Sequence, residues 1–432
     1  MALQSVGHLS STSLIQLLSI LWLTPLAWKK NLDGCIIHSK ASSIESLVSN
    51  LKVLHAPSSV GGNPQALSRA LRMLGVRSCS LVVSQNYLAY PADIELHRPG
   101  QSLVMRELKR IGAILFLLPR FDVIHYNAGT TLANAYAFSF SPRQGTKGFL
   151  RLFYAGYLRA LQRLEIAYIR MLGKAVFITY QGDDARQGDY SREHFAINIA
   201  SQVDEGYYCA ASDAFKRRNI KLLSSIAHQV YSVNPDLLHV LPESARFTPY
   251  SLVFLDEWVP SYTQDQNRPL RIVHAPSNRK VKGSDLILHG LERLRAQGFE
   301  FELLLVEGMS NTEARKIYES ADVLVDQLFA GWYGGLAVEL MALGKPVLVY
   351  IRDEDLGFIP PEMKADLPFL QITPTTVEDA LRNLLQMPRE TLVALGKRSR
   401  AFVERWHDPL SIAREIKDEY EKTQHFIAEV AK

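Results

Sequence analysis

One eight-residue phrase occurs twice in the chain, and it limits the fold more than any other feature. Leu51-Lys-Val-Leu-His-Ala-Pro-Ser58 returns as Leu270-Arg-Ile-Val-His-Ala-Pro-Ser277. Each copy is a short apolar run that ends in Pro-Ser and a loop, followed by a helical pattern. A doubly wound α/β unit opens in this way, with strand, loop and helix. Two copies predict two such units in tandem. The 432 residues exceed one ordinary core and suit two or three domains.

The rest of each half alternates as expected for such units. Strand-like runs fall at 80–83, 122–126, 175–180 and 228–233, then at 301–306, 322–326 and 346–351, with helical stretches between several of them. Alternation of this kind implies parallel sheets. Their binding sites lie outside the carboxyl ends of the strands. The polar, breaker-rich segment 262–269 is the expected linker. The chain then divides into an N-terminal appendage (1–48), two Rossmann-like domains (49–262 and 270–407) and a last helix (408–432). In that helix Ile412, Ile416, Tyr420, Phe426 and Val430 are spaced for one buried face.

Composition narrows the class. Hydrophobic residues make up 47% and charged residues 21%, which excludes a disordered chain. A net charge of +4 suits anionic phosphates or anionic lipid without demanding nucleic acid. Cys35, Cys79 and Cys209 lie far apart, which argues against a disulfide framework or a zinc cluster and points to a reducing compartment. The apolar run 14–28 is broken by Gln16, Ser19 and Pro25 and falls short of the roughly 20 residues a spanning helix needs. The first basic residue is Lys29, so the start does not read as a signal peptide. The expected location is cytoplasmic.

Two segments carry phosphate chemistry. Gly331-Trp-Tyr-Gly-Gly-Leu-Ala-Val-Glu-Leu-Met-Ala-Leu-Gly-Lys-Pro-Val347 holds a glycine turn at Gly334 and Gly335 that enters a helix. Glycines admit close backbone approach, and a helix start points N–H groups at an anion. Leu336 follows the turn, and Glu339 lies about one turn in, within reach of ribose hydroxyls. The same glycines also suit tight packing alone. The second segment, His274-Ala-Pro-Ser-Asn-Arg-Lys-Val-Lys-Gly-Ser-Asp285, sets Arg279, Lys280 and Lys282 in a strand-to-helix loop. Three cations there suit a leaving diphosphate, although charge runs commonly face water. In the first half, Gln181-Gly-Asp-Asp-Ala-Arg186 follows a clear strand. Asp183, Asp184 and Arg186 there suit acceptor hydroxyls or a phosphate, or simply cap the next helix. Asn234-Pro-Asp-Leu237 reads as a helix start. His125 reads as structural. No Asp-x-Asp site suits a metal-bound diphosphate.

The second half resembles the donor domain of family 4 retaining glycosyltransferases of GT-B fold. Lys282 and Gly283 match the Lys-Gly after the first strand. Glu339, Gly344, Pro346 and Val347 match the later glutamate and the Gly-x-Pro-Val that closes its helix, and Trp406-His-Asp-Pro409 resembles the family's ending. In the first half, Ser58-Ser-Val-Gly-Gly-Asn-Pro64, with Gly61 and Gly62, resembles the glycine loop facing donor and acceptor. Gln181 to Asp184, with Gly182, resembles the His-Gly-x-Asp loop, Gln181 standing for the histidine. The resemblance implies a fold of two Rossmann-like domains facing across a cleft. It also implies sugar transfer with retention, no metal or other cofactor, and a nucleotide-sugar as co-substrate. Lys282, Arg279, Glu339 and Asp183 would carry catalysis. Lys280, Gly283, Gly331, Trp332, Tyr333, Gly334, Gly335 and Leu336 would hold the donor. Gly61, Gly62, Gly182, Asp184 and Arg186 would face the acceptor, a saccharide or lipid-linked sugar in surface polysaccharide or glycolipid synthesis. Gly331 replaces the family's first glutamate, and Ser277 stands where an arginine is usual, with Arg279 nearby.

Residues 147–174 read as one long helix with Arg151, Arg159, Arg163 and Arg170 on one side and much apolar surface. Such a helix rests in an anionic membrane interface or packs as an ordinary amphipathic helix. Two rival functions stay open: a nucleotide-sugar epimerase of the same architecture, and a non-catalytic nucleotide-binding scaffold. A nicotinamide dehydrogenase is disfavoured, because neither half carries Gly-x-Gly-x-x-Gly after its first strand.

Overall fold

Each echo becomes the first strand of a parallel sheet, with a neighbour on both sides. In the computed structural model, which describes residues 50–134, 146–262 and 268–430, the first copy forms β1 (Lys52–Ala56). It is flanked by β2 (Arg77–Ser84), β3 (Ile94–His97), β4 (Val123–Asn127), β5 (Ala175–Tyr180), β6 (Gln229–Ser232) and β7 (Arg246–Phe247). The 7-stranded sheet runs β3-β2-β1-β4-β5-β6-β7. The second copy forms β8 (Leu270–His274), joined by β9 (Phe301–Leu305), β10 (Val323–Val325), β11 (Val347–Val349) and β12 (Leu370–Gln371) in the order β12-β11-β10-β8-β9. Every strand pair is parallel. The sequence reading misses β3, β7 and β12, which are too short to show a period. The appendage, Cys35 and linker positions 263–267 lie outside the described residues.

Alternate residues of each strand enter opposite cores, as a period of two requires. Leu54, Ile124 and Ile178 face Ile166 and Ile169 of α3 (Thr146–Met171) and Ile220 and Leu223 of α4 (Ala210–Ser224). Val53, Val123 and Phe177 face Leu67 and Leu71 of α1 (Asn63–Met73), with Ile412, Ile416 and Tyr420 of α9 (Pro409–Val430). The last helix therefore leaves the second domain and packs on the first. Each fully buried isoleucine there contributes about 1.5–3 kcal/mol. The remaining helices that matter are α2 (Leu103–Gly112), α5 (Ser284–Ala296), α6 (Asn311–Ser320), α7 (Gly335–Ala342) and α8 (Arg389–Trp406).

In both sheets the strand order reverses beside the first strand, between β1 and β4 and between β8 and β10. Loops diverge at such a point and leave a crevice at the carboxyl ends. The crevice loops are 57–62 and 128–131 in the first domain, and 275–278 and 326–334 in the second. Among the described residues no helix is long and apolar enough to cross a membrane.

Candidate functional site

The β8 loop delivers three cations, and the structure separates them. Asn278 caps the short 279–282 turn by accepting the backbone N–H groups of Lys280 and Val281 at 3.0 and 3.3 Å. Arg279 points outward and pairs with Glu307 through two bonds of 2.8 and 2.6 Å. Lys280 is also exposed and reaches Asp204 of the first domain at 2.5 Å. Lys282 alone turns inward. Its Nζ lies 2.8 Å from Asp326 Oδ1, at the carboxyl end of β10. Gly283, in left-handed backbone, ends the turn and starts α5.

The glycine turn meets this lysine. The Gly334 N–H donates to Asp326 Oδ2 at 3.0 Å, so one carboxylate holds both the turn and the ammonium. A Cβ on Gly334 would stand 3.4 Å from Lys282 Nζ. Helix α7 begins at Gly335 and Leu336, whose N–H groups belong to a first turn that lacks intrahelical acceptors. Lys282 and this helix start thus converge on one spot, where the Asp326 carboxylate offsets part of their positive charge.

Glu339 lies one turn further and is buried. Its Oε1 accepts from Asn311 Nδ2 at 2.9 Å, on α6, and from the Tyr90 hydroxyl at 3.2 Å, on a loop of the first domain. Burial raises its carboxyl to about 7, although both hydrogen bonds and Arg315 pull the other way. The Tyr90 ring is seated against Gly62, where a Cβ would meet it at 2.5 Å. Gly62 has φ +73, so any side chain there meets both strain and a ring. Gly61 is also left-handed, at φ +56.

Position 331 is closed to a side chain. Gly331 has φ +79, and a Cβ there would lie 2.6 Å from the Arg352 guanidinium. Arg352 is fixed by Asp355 at 2.9 Å and by the Ile197 carbonyl at 2.8 Å, and it stacks on Phe195. Trp332 and Tyr333 are fully buried: they pack on Phe247 and Phe369, and the Tyr333 hydroxyl bonds His407 at 2.9 Å. They shape the core beneath the turn and do not line the cleft.

Across the cleft, Asp184 folds back. It accepts the N–H groups of Gln181 (3.1 Å) and Gly182 (2.7 Å), and burial lifts its carboxyl to about 6. It shapes the loop, as a cap would. Asp183 receives Arg186 at 3.1 Å and the hydroxyls of Tyr207 and Tyr208. Burial works to raise it, but Arg186 and the tyrosines outweigh that and hold it below its ordinary value. Arg186 is itself locked by Asp236 at 2.7 and 3.2 Å. Asn234 donates to the Gln181 carbonyl at 2.7 Å and accepts from Tyr250 at 2.8 Å. Asn234 thus braces the loop from the N-terminal end of a short 3-10 helix, Pro235–His239.

Two cavities share Asp183 in their walls. One, of about 390 Å³, lies between the domains, with Val60, Gly182 and Arg186 on one side and Ser277, Gln327 and Gly334 on the other. The other, of about 790 Å³, lies in the first domain. Ala128, Asp183 and Asp184 line both. The sequence reading misses Tyr90, Asn311, Asp326, Asn234 and Asp236. Asp326 alone had a local signal, as the acidic end of an apolar strand.

No protein-family model matches the sequence, and no curated protein matches it. Solved structures do. Sucrose-phosphate synthase from Thermosynechococcus elongatus is similar over 87% of this chain and 99% of that one, at 16% identity and a TM-score of 0.53. The catalytic domain of starch synthase IV from Arabidopsis thaliana, bound to ADP and acarbose, is similar over 87% and 100%, at 12% identity and a TM-score of 0.53. The chain has the GT-B fold, two Rossmann-like domains facing across a cleft.

Proposed function

We propose that the protein transfers a sugar from a nucleotide-sugar to a hydroxyl-bearing acceptor. One observation carries this reading: a cavity between the domains and a second inside the first domain both have Asp183 in their lining. A transferase needs two such chambers side by side. An epimerase acts on the donor alone and leaves the second without a task.

The diphosphate sits at Lys282 and the start of α7, and Glu339 takes the ribose hydroxyls in place of Tyr90. Charge develops on the departing diphosphate, and preorganised donors there supply a large share of catalysis. The acceptor oxygen bonds the anomeric carbon as the bond to the diphosphate breaks, its electron pair going to the phosphate. Asp183 is a weak base, held by two tyrosines and Arg186. On the retaining route that the family resemblance supports, the acceptor proton passes to the departing phosphate oxygen, on the face the nucleotide leaves. That route keeps the anomeric configuration and uses no metal. The closed position 331 means that the donor sugar is held without the family's first glutamate, by the Lys282–Gly334 turn and the Gln181–Arg186 loop. The family resemblance supports an acceptor of surface polysaccharide or glycolipid synthesis, met in the cytoplasm at the inner face of a membrane.

Thermal unfolding with UDP, GDP, ADP and their sugars tests the donor site. A ligand at 100 times its dissociation constant adds about 2.7 kcal/mol. A shift with one nucleotide, absent in Lys282→Ala, is the expected result. No shift with any of them refutes the reading, and a shift without transfer to any acceptor favours the scaffold. Product analysis with donor alone separates transfer from epimerisation.

A further inference from the structure

The first-domain cavity has an unusual mouth. Leu103, Arg106 and Arg110 follow one another along one face of α2, and all three line it. Leu150, Arg151 and Tyr154 line it from α3. At this mouth, Leu103, Val104, Phe149, Leu150, Leu152 and Phe153 are each more than half exposed. The last four sit at helical spacing on one face of α3. Scattered exposed hydrophobics are ordinary, but a contiguous group at a cavity mouth marks a binding surface.

Charge tells what that surface meets. Helix α3 carries one acidic residue, Glu165, which is buried and accepts from Tyr126 at 2.6 Å. The exposed charges of α3 are therefore cationic, with Arg159, Arg163 and Arg170 in the open. Inside the mouth, Arg110 is taken by Glu107 at 3.2 Å and by the Leu132 carbonyl. Glu107 is in turn occupied by Arg110 and the Tyr154 hydroxyl. Arg106 differs: its buried Nε has no hydrogen-bond partner among the described residues. The lining of this cavity thus extends from an apolar rim, past the Arg106 guanidinium, to Asp183, which also lines the cleft between the domains.

We propose that the acceptor is an amphiphile with an apolar chain, a phosphate and a hydroxyl-bearing head, drawn from an anionic lipid surface on which the α2–α3 rim rests. The chain leaves over Leu103 and Leu150, the phosphate meets Arg106, and the head reaches Asp183. This deepens the transferase reading and rests on it. Apolar insertion together with cationic attraction is the physics of interfacial helices.

The test uses the full chain. In flotation, vesicles containing phosphatidylglycerol retain the protein, phosphatidylcholine vesicles retain at least tenfold less, and salt weakens retention as exposed charges are screened. Phe149→Glu with Phe153→Glu abolishes retention and keeps the nucleotide-induced thermal shift. In the second arm, dodecyl phosphate at submicellar concentration stabilises the protein, and Arg106→Ala weakens its binding about tenfold. Inorganic phosphate and dodecyl maltoside each bind at least tenfold more weakly. Equal binding of either control, equal retention by both vesicles, or unchanged retention in the double variant overturns the proposal. Loss of the nucleotide shift in the parent protein sinks the transferase reading instead, so the two failures are distinguishable.

Discussion

Glu339→Gln is expected to make the protein more stable and a poorer nucleotide binder. Glu339 is 3% exposed, and its carboxyl is raised from 4.5 to about 7 by burial. Between those values the folded protein keeps the proton that the unfolded chain releases. Stability therefore falls as pH rises through this window, by about 1.4 kcal/mol per pH unit. The loss is complete above pH 7 and amounts to about 3 kcal/mol. Glutamine has the same shape, and its amide oxygen can accept from Asn311 and Tyr90 without carrying charge. The variant should match the parent near pH 4.5 and exceed it at pH 8, by roughly 6–12 °C in Tm for a domain of this size. Hydrogen bonds to a charged acceptor are stronger than neutral ones, so nucleotide affinity should fall about tenfold at pH 8. Thermal unfolding at the two pH values, with and without nucleotide, reads both effects. A Tm gap that does not change with pH, or a variant less stable at pH 8, would refute the desolvation argument.

Three further outcomes follow from the site. Lys282→Ala leaves the buried Asp326 carboxylate without its cation and should cost roughly 3–5 kcal/mol; adding Asp326→Asn should restore Tm without restoring the nucleotide shift. Gly331→Ala forces a side chain into left-handed backbone, at roughly 1–2 kcal/mol, and against Arg352 as well, so Tm should drop by several degrees; an unchanged Tm would refute both the strain and the clash. Tyr90→Phe removes the hydroxyl that occupies Glu339, so nucleotide should bind as well or up to about fivefold tighter by calorimetry; tenfold weaker binding would mean that Tyr90 holds the ligand.

Local pattern settled much of the architecture. The repeated Val-His or Val-Leu-His strand ending in Ala-Pro-Ser marks the opening strand of each sheet, because a strand with both faces covered reads as a largely apolar run. All six residues of β5 are buried for the same reason, and the run at 175–180 shows it plainly. The glycine turn, its helix and Glu339 were legible, since left-handed backbone and a helix start leave marks within a few residues. Tertiary structure alone decided which groups face the cleft. Arg279, Lys280 and Lys282 are equivalent in sequence, yet only Lys282 finds a buried carboxylate on a neighbouring strand. Tyr90 and Glu339 stand 249 positions apart and meet only because the two domains close on each other. Trp332 and Tyr333 adjoin the turn in sequence but point into the core, since the backbone that aims Gly334 at Lys282 turns its neighbours inward. Periodicity reports which face of an element is buried; it carries no information on which distant partner that face will meet.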